Sequence, residues 1–261
     1  MAKRYSIVCL RHGESEWNKA NLFCGWHDVN LSETGIWDAS EISAASLKKE
    51  GFQFDIAFTS CLKRAHQTLE IVLKELDLEQ IPVVMDWRLN ERHYGALTGF
   101  NKREMAEVYG EEQVQVWRRS FNVPPPAITS NNPYYEQIRG NQKFKKIKNE
   151  NFPDAETLES TMKRVVPFYE EVIKEQVRSG KRVLIVAHGT SLRGLVKHVK
   201  GMSDTEIMKF NLPNSIPFVL ELDENFKLVE DIKFLADKEF VLNAMEKVAS
   251  IGNLLTNCTE H

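Results

Sequence analysis

The chain has 261 residues, of which 42% are hydrophobic and 27% charged, and its 34 Lys and Arg nearly balance 37 Asp and Glu for a net charge of -3. That is the composition of a globular chain large enough for one α/β domain, and the near-neutral balance argues against a dedicated nucleic-acid binder. No apolar run approaches the roughly 18–20 residues of a membrane span, and the stretch Tyr5 to Leu10 meets Arg11 before reaching the length of a signal segment, so a cytoplasmic protein with no membrane partner is expected.

In chain order, short Ile- and Val-rich runs without alternation are read as strands covered on both faces, at 6–10, 55–59, 81–85, 182–187 and 218–222. Helices fall between them. Residues 34–50 follow the start signal Ser32/Thr34 and stop at Gly51. Residues 62–76 are amphipathic. Residues 156–177 put Leu158, Met162, Val165, Tyr169, Ile173 and Val177 near one face, and Pro167 is expected to kink or divide that helix. Residues 191–200 form the next helix, closed by Gly201. Strands alternating with helices predict an α/β fold with a mostly parallel central sheet and helices on both faces.

One domain is expected over residues 1–252. It carries a lid-like insertion near 120–153, where Pro124-Pro125-Pro126, Asn131-Asn132-Pro133 and a Lys-rich run at 143–148 break all regular patterning. Residues 253–261 are expected to be a flexible tail. The four cysteines, Cys9, Cys24, Cys61 and Cys258, are far apart and read as reduced thiols, not as a zinc site or disulfide framework.

The chemistry gathers at strand ends, where ligands of parallel α/β sheets bind. The first strand runs into Arg11-His12-Gly13-Glu14-Ser15, with Asn18 a turn later. An arginine fork suits phosphate oxygens, a histidine offers a nucleophile or proton carrier, and a glycine lets the backbone approach an anion. A second such string, His188-Gly189-Thr190-Ser191, follows another strand and opens a helix whose N–H groups could receive an anion. Arg64 lies in the first turn of a helix, where the dipole disfavours a cation unless an anion is bound; a solvated arginine is the alternative. Arg118 and Arg119 are adjacent, so they must both be solvated or share an anion. Glu91, in Asn90-Glu91-Arg92-His93-Tyr94, is the carboxylate suited to proton transfer, with a pKa that nearby phosphate would raise toward neutrality; an ion pair with Arg92 is the other reading. Neither a nucleotide P-loop nor a dinucleotide fingerprint is present.

Together these strings resemble the cofactor-dependent phosphoglycerate mutase family of the histidine phosphatase superfamily. The likeness takes in Phe23-Cys24-Gly25-Trp26, Leu31-Ser32-Glu33-Thr34-Gly35, the segment around Thr59 to Arg64, Trp87 to Gly95, Trp117 to Phe121 and the triple proline, and runs in register from about Tyr5 to about Gly252. It implies a three-layer sandwich and an isomerase interconverting 3-phosphoglycerate and 2-phosphoglycerate in glycolysis. His12 would become a phosphohistidine primed by 2,3-bisphosphoglycerate, and His188 would stabilise the phosphoryl group in transfer. Arg11, Arg64 and Asn18 would hold its oxygens, and Glu91 would act as acid and base. Tyr94, Lys102, Arg118 and Arg119 would grip the carboxylate and second phosphate, with Ser15, Cys24, Gly25, Arg92, Gly189 and Thr190 completing the substrate wall. No metal is implied, and the expected partners are phosphoglycerates and a second copy of the chain.

Ser15, Gly25 and Thr98 match the monophosphoglycerate mutases, whereas Ala96 matches the bisphosphoglycerate enzyme. Other positions depart from both: Thr190 stands for an Asn, Asn214-Ser215 for Thr-Gly, Ala155-Glu156-Thr157 for a Ser/Cys-Glu-Ser segment and Lys143-Phe144 for Arg-Tyr. Two alternatives follow, a paralogue dominated by bisphosphoglycerate mutase or phosphatase activity, and a weakly active phospho-ligand sensor.

Overall fold

The structure, a computed structural model, describes residues 4–251. The expected tail, with Cys258, lies outside the described residues. Strands β1 (Tyr5–Arg11), β2 (Ile56–Thr59), β3 (Val83–Met85), β4 (Val183–Ala187), β5 (Phe218–Leu222) and β6 (Lys233–Phe234) form one sheet in the order β3-β2-β4-β1-β5-β6. The first four pair in parallel, while β5 runs antiparallel to β1 and to β6.

Alternation of side chains sends successive strand residues to opposite faces. Ile7, Cys9, Phe58 and Ile185 pack under helices α8 (Leu158–Phe168), α9 (Lys174–Arg178) and α10 (Gly189–Lys200). Val8, Leu10, Ala57 and Val186 pack under α3 (Ala45–Lys49) and α4 (Lys63–Glu75). These are the three layers that the strand–helix alternation implies. Ahead of α3 come α1 (Glu16–Lys19) and α2 (Glu33–Asp38), and α2 joins α3 through a π-helical stretch, Ala39–Ala44. A second π-helical stretch, Tyr169–Ile173, follows Pro167 and joins α8 to α9. The proline cannot donate to the ladder, so the helix widens there without ending.

Two expectations change. β3 is an edge strand, with Val83 39% and Met85 55% exposed, so it is not covered on both faces. The 123–153 segment is not structureless. It holds α7 (Tyr135–Arg139) and two single 3-10 turns, Gln142–Phe144 and Asn149–Asn151. Ile128, Ile138, Phe144, Ile147 and Phe152 from it bury against Trp26 and Leu62, forming a core of their own. The remaining α-helices among the described residues are α5 (Lys102–Tyr109), α6 (Glu111–Arg119), α11 (Asp204–Lys209) and α12 (Lys238–Ser250).

Candidate active site

Register puts the chemistry on one edge. Arg11 is the Cα partner of Ala187, and Thr59 of Val186, so β1, β2 and β4 deliver Arg11-His12, Ser60 and His188 side by side at their carboxyl ends. The His12 and His188 rings meet edge to face with centroids 4.8 Å apart. Both are buried. Burial and the charges of Arg64 and Arg11 hold both well below the usual histidine range, so both are neutral.

The tautomer of His12 follows from its partner. Nδ1 of His12 lies 2.6 Å from the Gly13 carbonyl, which can only accept, so Nδ1 carries the proton and Nε2 keeps its lone pair. Arg64 Nε donates to that Nε2 at 3.3 Å. Ser60 Oγ lies 2.7 Å from Nε2 of His188 and also accepts from the Leu62 N–H. The other ring nitrogen of His188, Nδ1, is buried and has no hydrogen-bond partner.

A cavity of about 90 Å³ opens beside His12. Its wall contains Arg11, Asn18, Cys24, Gly25, Arg64 and Glu91, and farther out Tyr94, Lys102, Arg118, Arg119, Gly189 and Thr190. The cations are oriented by main-chain carbonyls: Arg11 by Leu212 at 2.6 Å, Arg64 by Gly25 at 2.8 Å, and Lys102 by Leu22 at 2.6 Å. Arg118 and Arg119 reach the carbonyls of Ile251 and Val248 at the end of α12. The adjacent pair is therefore held by the negative end of a helix dipole, the alternative to a shared anion that sequence could not show. Burial, followed by repulsion from neighbouring cations, pulls Lys102 down to about 7 and Arg118 to about 9.

Glu91 accepts from the Arg92 N–H at 2.8 Å and from the Thr190 N–H at 3.1 Å. Burial raises its pKa, but those donors and the charges of Arg11 and Arg92 outweigh burial and leave it below the usual carboxylate range. The upward shift expected from sequence is thus not a property of the protein's own groups. The N-terminus of α10 is occupied by this carboxylate, so the Thr190 N–H expected for phosphate is already engaged. The main chain of Glu91 is fixed from behind. Its carbonyl accepts from Trp26 Nε1 at 2.6 Å and from Arg164 Nη2 at 2.9 Å, and Arg164 is itself bonded to buried Glu156.

Three expected residues do not line the cavity. Ser15 is fully buried and caps α1 through a reciprocal pair with Asn18, Oγ accepting the Asn18 N–H at 3.1 Å, so its hydroxyl is not turned to a ligand. Arg92 runs away from the cavity to the Arg118 carbonyl, 2.5 Å, and stacks over the Tyr94 ring. His188 is covered, with its ring against that of His12. Gly25 has φ +54, and a Cβ there would lie 2.9 Å from the Tyr94 nitrogen, so the turn requires glycine.

Sequence reasoning missed Arg193, Leu22, Leu212, Val248 and Ile251, all in the wall. Arg193 had a signal: it lies four residues after Gly189 and shares its helix face. Its Nη2 donates to the Ile207 carbonyl at 2.5 Å and its buried Nε has no partner. The apolar members carried none.

A buried histidine pair at the carboxyl edge of a three-layer α/β sheet, ringed by arginines, is an arrangement suited to phosphate. The chain matches the histidine phosphatase superfamily (branch 1) over residues 7–150 and 134–233, and it belongs to that superfamily. It is 50% identical over 250 residues to the 2,3-bisphosphoglycerate-dependent phosphoglycerate mutase of Treponema denticola, covering 94% of this chain and 98% of that protein. The solved phosphoglycerate mutase of Bacillus anthracis superposes with a TM-score of 0.63 at 20% identity, covering 96% of this chain and 97% of that one. A putative alpha-ribazole-5'-P phosphatase of Escherichia coli superposes with a TM-score of 0.62, also at 20% identity, covering 88% and 94%. At that identity the two structures speak for the fold alone.

Proposed function

We propose that this chain is a 2,3-bisphosphoglycerate-dependent phosphoglycerate mutase, interconverting 3-phosphoglycerate and 2-phosphoglycerate. The observation that carries the reading is neutral His12, whose unprotonated Nε2 accepts from Arg64 Nε, beside buried His188, in a cavity whose one carboxylate among the described residues is Glu91. The 50% identity to the spirochaete mutase supports it. Buried donors without partners in the wall, Arg11 Nε and Arg193 Nε, fit a small polyanion such as 2,3-bisphosphoglycerate. Asn18, Lys102, Arg118 and Arg119 would hold it with them. When bound, it supplies the phosphoryl group that primes His12.

The chain's own residues then divide the transfer into two steps. The Nε2 lone pair of His12 forms the bond to phosphorus and later surrenders it to a substrate oxygen. Arg11, Arg64 and His188 stabilise the charge on the phosphoryl oxygens in flight. Glu91, a carboxylate in the unliganded pocket, takes the proton of the attacking hydroxyl and returns it to the departing oxygen. Negative charge from a bound ligand moves Glu91 upward from its low starting point, toward the range a proton carrier needs.

The test is conversion of 3-phosphoglycerate to 2-phosphoglycerate by purified protein, with and without 2,3-bisphosphoglycerate, beside His12→Ala. Stimulation by the bisphosphate that is lost in the variant is the expected result. Folded wild-type protein that converts nothing overturns it. The same preparation tests the homodimer that the resemblance implies, by light scattering.

A further inference from the structure

The turn before β5 makes an unusual set of contacts. Arg11 Nη1 donates to the Leu212 carbonyl at 2.6 Å, the Ser215 N–H donates to the Arg11 carbonyl at 3.1 Å, and Asn214 Nδ2 donates to the His12 carbonyl at 2.7 Å. The turn is itself tied down, because Ser43 Oγ donates to the Ser215 carbonyl at 2.7 Å. Ser215 adopts φ +59, a left-handed conformation that brings Asn214 and its own N–H to the strand end together.

The peptide between His12 and Gly13 is thereby held at both ends. Its carbonyl accepts from Asn214, and its N–H donates to Thr68 Oγ1 at 3.0 Å. Thr68 is buried and donates in turn to the Arg64 carbonyl at 2.7 Å. This peptide precedes a glycine, the residue with the most freedom to rotate. The next carbonyl along, that of Gly13, is the one that receives the Nδ1 proton of His12. If the 12–13 peptide turned, the Gly13 carbonyl would move from under the ring. Nδ1 would lose its acceptor, and with it the reason for the proton to sit there and leave Nε2 free.

We propose that Asn214 is a positioning residue for the phosphoryl transfer, fixing the tautomer and angle of His12 by pinning the peptide that follows it. The inference rests on the reading of His12 as nucleophile. It assigns a role to a side chain that lines no part of the cavity, and it explains how a chain with Asn-Ser at this turn keeps the strand end rigid: an amide bonds the His12 carbonyl directly.

The experiment compares Asn214→Leu, close in shape but with no donor, with Asn214→His, whose ring nitrogen can replace the amide N–H. Two readouts are taken: the single-turnover rate of His12 phosphorylation by 2,3-bisphosphoglycerate, with kcat and KM, and the ¹⁵N shifts of the His12 ring in the unliganded protein. Asn214→Leu is expected to lose about tenfold in phosphorylation rate and kcat, with KM within about twofold. Its His12 shifts are expected to move from the Nδ1–H form toward a mixture. Asn214→His is expected to keep at least about half of the wild-type rate and the wild-type shifts. A wild-type rate in Asn214→Leu, an equal loss in both variants, or a loss confined to KM overturns the proposal. Should Asn214→Leu fail to fold, Asn214→Asp, of the same shape but with no donor, takes its place. If wild-type protein forms no phosphohistidine, the functional reading fails, while the ring shifts still decide whether Asn214 sets the tautomer.

Discussion

Lys102 offers a perturbation whose size can be worked out. Its amine is buried, donates to the Leu22 carbonyl and faces Arg118 and Arg11; burial first and those charges second bring it from 10.5 to about 7. The gap corresponds to ~5 kcal/mol held against the fold when the amine is charged. Below pH 7 both folded and unfolded chains carry the proton, and the cost is borne in full. Between pH 7 and 10.5 only the unfolded chain keeps it, so this residue's contribution makes the fold more stable as pH rises. A bound polyanion restores the charge. At pH 8 the free amine is about nine-tenths neutral, so binding takes up about 0.9 proton there and about 0.1 at pH 6. Affinity for 3-phosphoglycerate should fall by up to about fiftyfold from pH 7 to pH 9. The assay is titration calorimetry in buffers of different ionisation enthalpy, with Lys102→Arg as the reference that stays charged. Equal proton uptake by wild type and Lys102→Arg at pH 8, with affinities falling in parallel, would refute the reasoning.

Two further outcomes follow from the geometry. Ser60→Ala removes the hydroxyl bonded to His188 Nε2; single-turnover phosphorylation of His12 should slow about tenfold, and an unchanged rate would show that this contact does not position His188. Ser215→Gly relieves a left-handed side-chain residue whose buried hydroxyl has no partner. It should add about 1 kcal/mol of stability, seen as a Tm rise of about 2–4 °C, and a lower Tm would show that the hydroxyl is needed.

What was legible in the sequence was whatever a strand end fixes locally. Arg11-His12-Gly13 and His188-Gly189 follow strands so closely that their place at the sheet's edge needed only the parallel pairing to bring them together. What was not legible depends on where a long side chain turns. Arg92 and Arg118 lie in similar strings, yet Arg92 points to a carbonyl of α6 and Arg118 into the cavity. Ser15 looked like a ligand group because of its neighbours, but a Ser-to-Asn spacing of three closed a cap. The order of residues 123–153 escaped because it is tertiary. Trp26, supplied from about a hundred residues earlier, is the ring that both Phe144 and Phe152 pack against.

The way the pocket's cations are anchored links its cost to its use. Among the described residues, Arg11, Arg64, Lys102, Arg118, Arg119 and Arg193 each donate to a main-chain carbonyl, and none has a carboxylate within 4.0 Å. Arg164, which faces away from the cavity, is built the other way, with Glu156 as partner at 2.7 Å. A carbonyl fixes the direction of a guanidinium without cancelling its charge, whereas a carboxylate does both. The pocket therefore concentrates positive charge that the fold alone does not neutralise. Burial first and that excess second bring Arg118 and Arg193 down to about 9. The excess works against stability without a ligand and for affinity with one, since every phosphate or carboxylate oxygen that enters meets guanidinium donors already aimed and still charged. Placing a carboxylate next to Arg118 would make the protein easier to fold and the pocket a poorer host for a polyanion, because the new side chain would hold the place the ligand has to take.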